Sequence, residues 1–231
     1  MIERAFDVTI RLVELMKRSY LRARLKYRIS RNASGPERGQ NLDVYSAPDM
    51  QRLLDVWGTH TVWNEVQYLV ANCNGKILDI GCGTGATLRL LSKFEDCDLY
   101  GCDISEVLIA RALDGGIPRE KLTVCNAIST PYGDNYFDYS YSVAALHVFT
   151  EEGILGALKE SHRVTKRRFF FQIPTARSAE NEGWITPHQH YYNNSVDWWV
   201  DRCKTSYDKV HVLDSSWEDA ISVGKWLVCV K

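Results

Sequence analysis

Apolar positions along this chain follow two rhythms. Before residue 76 the rhythm is helical. Phe6, Ile10, Val13 and Met16 recur at three- or four-residue steps, followed by Leu21 and Leu25, which predicts a helix over 3–28. The polar stretch 31–41 contains Gly35-Pro36 and Gly39, so it reads as a loop. Ser46-Ala47-Pro48 starts a short helix through Val56, because proline fits the first helical turn. His60–Ala71 reads as a further helix.

From Lys76 short apolar runs alternate with helix-period segments. Strands are predicted at Lys76–Ile80, Asp98–Cys102, Lys121–Cys125, Phe137–Val143 and Arg168–Ile173. Helices are predicted at Ala86–Phe94, at Glu106–Leu113 behind a Ser105 cap, and near Thr150–Val164. A polar and aromatic insertion, Pro174–Asn194, precedes a helix Val196–Cys203 capped by Ser195. Lys209–Leu213 and Lys225–Val230 are close enough in sequence to form a closing hairpin rather than another βα unit. The pattern predicts an α/β fold: an N-terminal helical extension over 1–59, and a βα domain over 60–231 with an insertion near 174–194.

Composition narrows the field. A chain of 231 residues with 45% apolar and 25% charged residues is an ordinary globule with ample core. Its net charge of -1 gives no general pull toward nucleic acid or membrane, although Lys and Arg concentrate in residues 1–40. The seven cysteines form no Cys-x-x-Cys pair, which argues against a disulfide framework or zinc site and for reduced thiols in a cytoplasmic setting. No signal-peptide pattern, and no apolar run long enough to span a bilayer, is expected.

The chemistry concentrates in Lys76–Gly85, KILDIGCGTG, where a buried-strand pattern runs into a glycine turn. Asp103 ends the next apolar run. A strand, a glycine turn and an acid on the following strand make a site for an adenosine-containing ligand. The form of the turn discriminates among such ligands. Dinucleotide sites use Gly-x-Gly-x-x-Gly against a pyrophosphate, whereas Gly81, Gly83 and Gly85 are spaced Gly-x-Gly-x-Gly. Asp79 beside the turn would repel a pyrophosphate and could accept from an ammonium group, directly or through water.

With these residues the chain resembles the class I S-adenosylmethionine-dependent methyltransferases, in the small-molecule, type 11-like branch, over roughly 60–231. The resemblance implies a Rossmann-like seven-stranded mixed sheet flanked by helices, with strand order 3-2-1-4-5-7-6. It implies S-adenosyl-L-methionine as cofactor and S-adenosyl-L-homocysteine as product. It places Gly81, Cys82, Gly83 and Gly85 around the methionine moiety with Asp79 near its amino group, and Asp103 with Ile104 at the ribose. Asn126-Ala127 stands where the family usually has Asp-Ala at the adenine, and Ser142 belongs to the strand-four phrase Phe137-Asp138-Tyr139-Ser140-Tyr141-Ser142. The usual Pro-Gly before strand five is replaced by Arg167-Arg168.

Methyl transfer is an in-line displacement at carbon, needing alignment, exclusion of water and, for a protonated acceptor, a general base. His147, after strand four, is the first candidate base. His188 and His190 in the insertion are further candidates, with Trp184 and Tyr191 as shields. Tyr20, Tyr27, Arg31, Arg38, Tyr45 and Trp57 are candidate acceptor contacts from an N-terminal segment acting as a lid. No metal is required. The expected reaction is transfer to an oxygen or nitrogen of a small, phosphorylated or sugar-related metabolite, with neither nucleic acid nor membrane insertion involved. An RNA or protein methyltransferase, or a non-catalytic cofactor-binding scaffold, are the alternatives. Monomer and homodimer stay open.

Overall fold

The computed structural model describes Met16, Tyr20, Tyr45 and residues 47–56, 62–185 and 191–231. Its centre is a seven-stranded sheet. Strands β1 (Gly75–Ile80), β2 (Cys97–Asp103), β3 (Leu122–Val124), β4 (Phe137–Val143) and β5 (Thr165–Ala176) run parallel. Two strands, β6 (Trp184–Ile185) and β7 (Tyr191–Tyr192), pair apart from this sheet. The last two, β8 (Lys209–Glu218) and β9 (Ser222–Val230), close the main sheet as an antiparallel hairpin. The order β3-β2-β1-β4-β5-β9-β8 is the expected 3-2-1-4-5-7-6 when the two short strands are set aside.

Helices cover both faces. On one face pack α1 (Pro48–Val56), α2 (Trp63–Val70), α3 (Ala86–Leu91) and α4 (Glu106–Asp114). Val66, Val70, Leu88, Leu91, Ile109 and Ala112 of α2–α4 meet Ile77, Tyr141, Phe170 and Trp226 of the sheet there. The other face holds α5 (Glu151–Val164) and α6 (Val196–Cys203), whose Ile154, Leu158, Trp198 and Trp199 pack on Leu78, Ile80, Phe169 and Phe171. Ile77, Leu78 and Ile80 are buried on both faces of β1, which is why that strand reads as one continuous apolar run. Ser105 and Ser195 accept from Leu108 N–H (3.3 Å) and Trp198 N–H (3.1 Å), starting α4 and α6 as predicted.

Several boundaries differ from the pattern. The helix predicted from His60 begins, within the described residues, at Trp63. β5 extends through Pro174 to Ala176, because β9 continues to pair it beyond the last β4 partner at Val143. No strand pairs with that flank of β5 at Pro174, and a strand tolerates proline where no ladder partner needs its amide. β8 extends to Glu218, so the closing turn is short.

Order reverses between β1 and β4, the switch point at which open α/β sheets bind ligands at their carboxyl ends. The loop beyond β3 is pinned to α5 by one acid. Glu160 Oε1 accepts from both the N–H and the hydroxyl of Thr130 at 2.7 Å, while Arg163 bonds Glu160, Asp134 and the Tyr132 carbonyl. Burial works to raise the Glu160 pKa, but the bonds from Arg163 and Thr130 hold it below its ordinary value.

Candidate functional site

Two clefts meet at the β1/β4 switch point. The first, about 320 Å³, lies over β2 and the loop after β3 and includes Asp103, Ile104, Cys125, Asn126 and Ala127. The second, about 390 Å³, lies over Asp79, Cys82 and Thr84 and reaches His147, Tyr191, Trp217 and Asp219. They share Tyr45, Leu54, Gly81, Gly83, Val143 and Ala144, so the glycine turn and the end of β4 form the threshold between them. Both volumes are in the range of small-molecule sites.

Backbone geometry makes the threshold narrow. Gly81 has φ +76°, and a side chain there would place its Cβ 2.7 Å from Ala145 Cβ. Ala144 holds φ +53° without being glycine, a conformation kept where the surroundings dictate it. Gly85 has a different task. It lines neither cleft, and a Cβ there would come within 2.2 Å of Ile117 and 3.1 Å of Ala112, so it permits α3 to pack close to α4.

The two acids sit differently. Asp103 is clamped by amides: Gly83 N–H donates to Oδ2 and Ser105 N–H to Oδ1, each at 2.9 Å. Burial raises its pKa, opposed by bonds from the Ser105, Gly83 and Ile104 amides. Asp79 is 3% exposed and is pushed up to about 8 by burial; the neighbouring Tyr141 hydroxyl opposes that rise and the Asp103 charge adds to it. An acid this poised is suited to meet a cation, and no Lys or Arg lines either cleft among the described residues.

The second cleft is walled mainly by apolar side chains drawn from distant elements. Met50, Leu53 and Leu54 come from α1, which is tied down by bonds from Thr84 to Asp55 and from Arg111 to Gln51. Trp217 and Asp219 come from the β8–β9 hairpin, anchored where Glu65 of α2 accepts from Ser215 (2.7 Å), from Ser216 and from Trp226 Nε1 (2.5 Å). Tyr191 faces His147 edge-on at 5.4 Å and bonds Ser222 at 3.3 Å. Asn193 behind it donates to Glu182 (2.8 Å) and accepts from Ser222 (2.9 Å), fixing the base of the insertion.

The remaining expected residues are placed as follows. Burial pushes His147 down to about 3, so the imidazole is neutral at physiological pH and a weak base, unlike the unperturbed histidine expected. Ser142 lines neither cleft; its hydroxyl donates to the Ile80 carbonyl at 2.7 Å and stitches β4 to β1. Trp184 also lies outside both linings and packs edge-on against Tyr192 at 4.9 Å. Tyr20 is 65% exposed and lines neither. Asn126 lines the first cleft as expected of an adenine contact, and its side-chain oxygen, which has a second lone pair, accepts from Ile128 N–H at 3.2 Å. Tyr27, Arg31, Arg38, Trp57, His188 and His190 lie outside the described residues. No group of three or more His, Cys, Asp or Glu able to hold a metal occurs among the described residues.

Sequence reasoning missed Leu54, Val143–Ala145, Phe149, Trp217 and Asp219 as lining residues. The i, i+3, i+4 spacing of Met50, Leu53 and Leu54 was a usable signal for one wall. Nothing local marks Trp217 and Asp219, which reach the site only through strand pairing.

Comparison with known proteins points the same way. Residues 77–168 match the model of a methyltransferase domain. A tRNA (carboxymethyluridine(34)-5-O)-methyltransferase of Arabidopsis thaliana is 38% identical over 107 residues, covering 46% of this chain and 25% of that protein. A ubiquinone/menaquinone biosynthesis C-methyltransferase of Rickettsia felis is 33% identical over 159 residues, covering 64% of this chain and 63% of that protein. The chain spans between 17% and 63% of the length of the curated relatives it matches. Among solved structures, a chain from the complex of the Haloferax volcanii Trm112 methyltransferase activator with a methyltransferase superposes with TM-score 0.67. The two are 14% identical, and the match covers 84% of this chain and 99% of that one. The acid-flanked glycine turn, the β3-β2-β1-β4-β5-β9-β8 sheet and the matched segment agree: residues 77–168 carry a methyltransferase domain, set in a Rossmann-like methyltransferase fold.

Proposed function

We propose that this chain transfers a methyl group from S-adenosylmethionine to an oxygen or nitrogen of a small molecule held in the second cleft. The observation that carries this reading is the junction of two clefts at one glycine turn, with a ribose-type acid in one and a poised acid in the other. When bound, the cofactor supplies an electrophilic methyl group on a sulfonium, which is already a good leaving group. The chain's own residues do the rest. Asp103, oriented by two amides, offers its remaining lone pairs to the ribose hydroxyls. Ile104 and Ala127 flank the adenine, and Asp79 accepts from the amino group.

On the acceptor side, Met50, Leu53, Leu54, Pro174 and Trp217 exclude water. His147 orients the acceptor through a neutral ring nitrogen rather than acting as a strong base. The apolar walls suit an acceptor with an apolar body. A phosphate or carboxylate on it would need cations beyond those walls, and Arg31 and Arg38 are the candidates. The test is incubation of the purified chain with methyl-labelled cofactor and fractionated metabolites. Appearance of a labelled product one methylene heavier supports the reading, and carbon acceptance would show in the position of the label. Cofactor binding without product in any fraction contradicts it.

One observation favours a second reading. The Arabidopsis relative acts on tRNA, and the first 40 residues here are basic. Salt-dependent RNA binding with label transfer to RNA would select that reading instead.

A further inference from the structure

Tyr141 is fully buried in β4, directly paired with Asp79 across the β1–β4 ladder. Its hydroxyl completes no hydrogen bond of full geometry, yet it lies within interaction range of the Asp79 carboxyl, and its phenol pKa is raised well above the ordinary value, by burial first and then by Asp79 as a charge and as a side-chain partner. A buried hydroxyl left unpaired costs stability, and phenylalanine would fill the same space without that cost. The group is therefore out of place in the chain as it stands, yet it lies beside Asp79, the acid proposed above to meet the cofactor's amino group.

We propose that Tyr141 is a positioning residue for the cofactor: its hydroxyl donates to the Asp79 carboxylate once that carboxylate ionises to meet the cofactor's ammonium group. This rests on the methyltransferase reading above. The proton balance is explicit. Asp79 enters as the neutral acid and the cofactor as the ammonium. The complex holds carboxylate and ammonium, and the acid's proton leaves to solvent. Tyr141 keeps its own proton and turns it toward the new anion, supplying the donor that a buried carboxylate requires.

The neighbouring titratable groups leave this role to Tyr141. Asp103 on β2 is of like charge and is held by amides. Cys82 in the turn has its thiol pushed well up by burial and by both acids. His147 after β4 is neutral. Across the cleft, Asp219 accepts from the Ile221 and Ser222 amides, Tyr191 bonds Ser222, and Asp55 accepts from Thr84. Tyr45 lines the shared threshold and Cys97 reaches Tyr141 only as a distant charge. None of these is a cation that could hold the Asp79 carboxylate in place of Tyr141.

The experiment is calorimetric titration of the full chain with S-adenosylhomocysteine, in two buffers of different ionisation enthalpy, from pH 6 to 9. The wild-type chain is expected to release close to one proton per ligand at pH 6–7 and progressively fewer toward pH 9. Tyr141→Phe is expected to bind about 10-fold more weakly or worse, in line with loss of a bond to a charged group. Its pH profile should move to higher pH, while its thermal stability without ligand at pH 6 is unchanged or raised. In an Asp79→Asn background proton release should vanish, and Tyr141→Phe should have no further effect.

Equal affinity and pH profile for wild type and Tyr141→Phe would overturn the assignment while leaving the cofactor reading intact. An equal loss in the Asp79→Asn background would overturn it too, by showing a purely structural role. Should Tyr141→Phe fail to fold, wild-type binding without proton release is the overturning result. A wild-type chain that binds no S-adenosylhomocysteine overturns the cofactor reading and this assignment together.

Discussion

The two clefts are built by different rules. The first cleft, the proposed cofactor side, is made at consecutive strand ends: Gly81 and Gly83 after β1, Asp103 and Ile104 at the end of β2, Asn126 and Ala127 after β3. Its polar contacts are short-range, and two of the decisive ones use backbone amides. The second cleft, the proposed acceptor side, adds to the glycine turn walls from α1, the segment after β4, the end of β5, β7 and the β8–β9 hairpin. It is held by long-range ties such as Glu65 to Ser215 and Trp226. A cofactor common to a whole family suits the first construction. An acceptor particular to one protein suits the second, because surface segments can vary without disturbing the strand ends.

The comparison can be broken most forcefully at Asp103. Replacing it with alanine strips both the Gly83 and the Ser105 amides of their acceptor as well as removing the ribose contact. S-adenosylhomocysteine affinity should fall by about 100-fold. A loss below about 5-fold by calorimetry would mean the first cleft is not where adenosine binds. Gly81→Ala comes next. It forces a side chain into φ +76° and against Ala145, and should cost about 2 kcal/mol in chemical denaturation. An unchanged midpoint would show that the threshold has slack.

His147→Gln should sharpen the contrast by separating the two sides. Turnover should fall about 10-fold or more if the ring orients the acceptor, while cofactor affinity stays within about 2-fold. Because burial holds His147 near 3, the wild-type rate profile should show no inflection from this group between pH 5 and 8. An inflection there that His147→Gln removes would restore the histidine as a general base.

A further effect concerns stability against pH without ligand. The folded Asp79 acid, at about 8, lies above its ordinary carboxylate value. Its contribution is fully present below the unfolded value, near pH 4, and is lost as pH rises through 8. Wild type should therefore lose stability relative to Asp79→Asn across that window. Parallel melting curves for the two would place the Asp79 carboxyl in contact with water.

How much was legible in the sequence follows the same division. The seven-strand order came from the resemblance, while the strand positions and the Ser105 and Ser195 caps followed from local pattern. Asp79, Gly81, Gly83 and Asp103 could be read because strand, turn and acid lie close together in the chain. The bond from the Ser142 hydroxyl to the Ile80 carbonyl was not legible, because a strand pattern says which face a residue takes and not which neighbouring carbonyl its hydroxyl meets. His147 was placed in the cleft on topology, but its burial, and so its basicity, depends on Tyr191, 44 residues later. Trp217 and Asp219 carried no local signal, since only the extended pairing of β8 with β9 brings them over the turn.

The central claim is that an adenosine sulfonium lies across the ends of β1 and β2. Its most direct test is a side-by-side calorimetric titration of the full chain with S-adenosylhomocysteine and with NAD. The expected result is saturable binding of S-adenosylhomocysteine that Asp103→Ala weakens, with no measurable heat from NAD. Preferential binding of NAD, or no binding of either ligand, would contradict it.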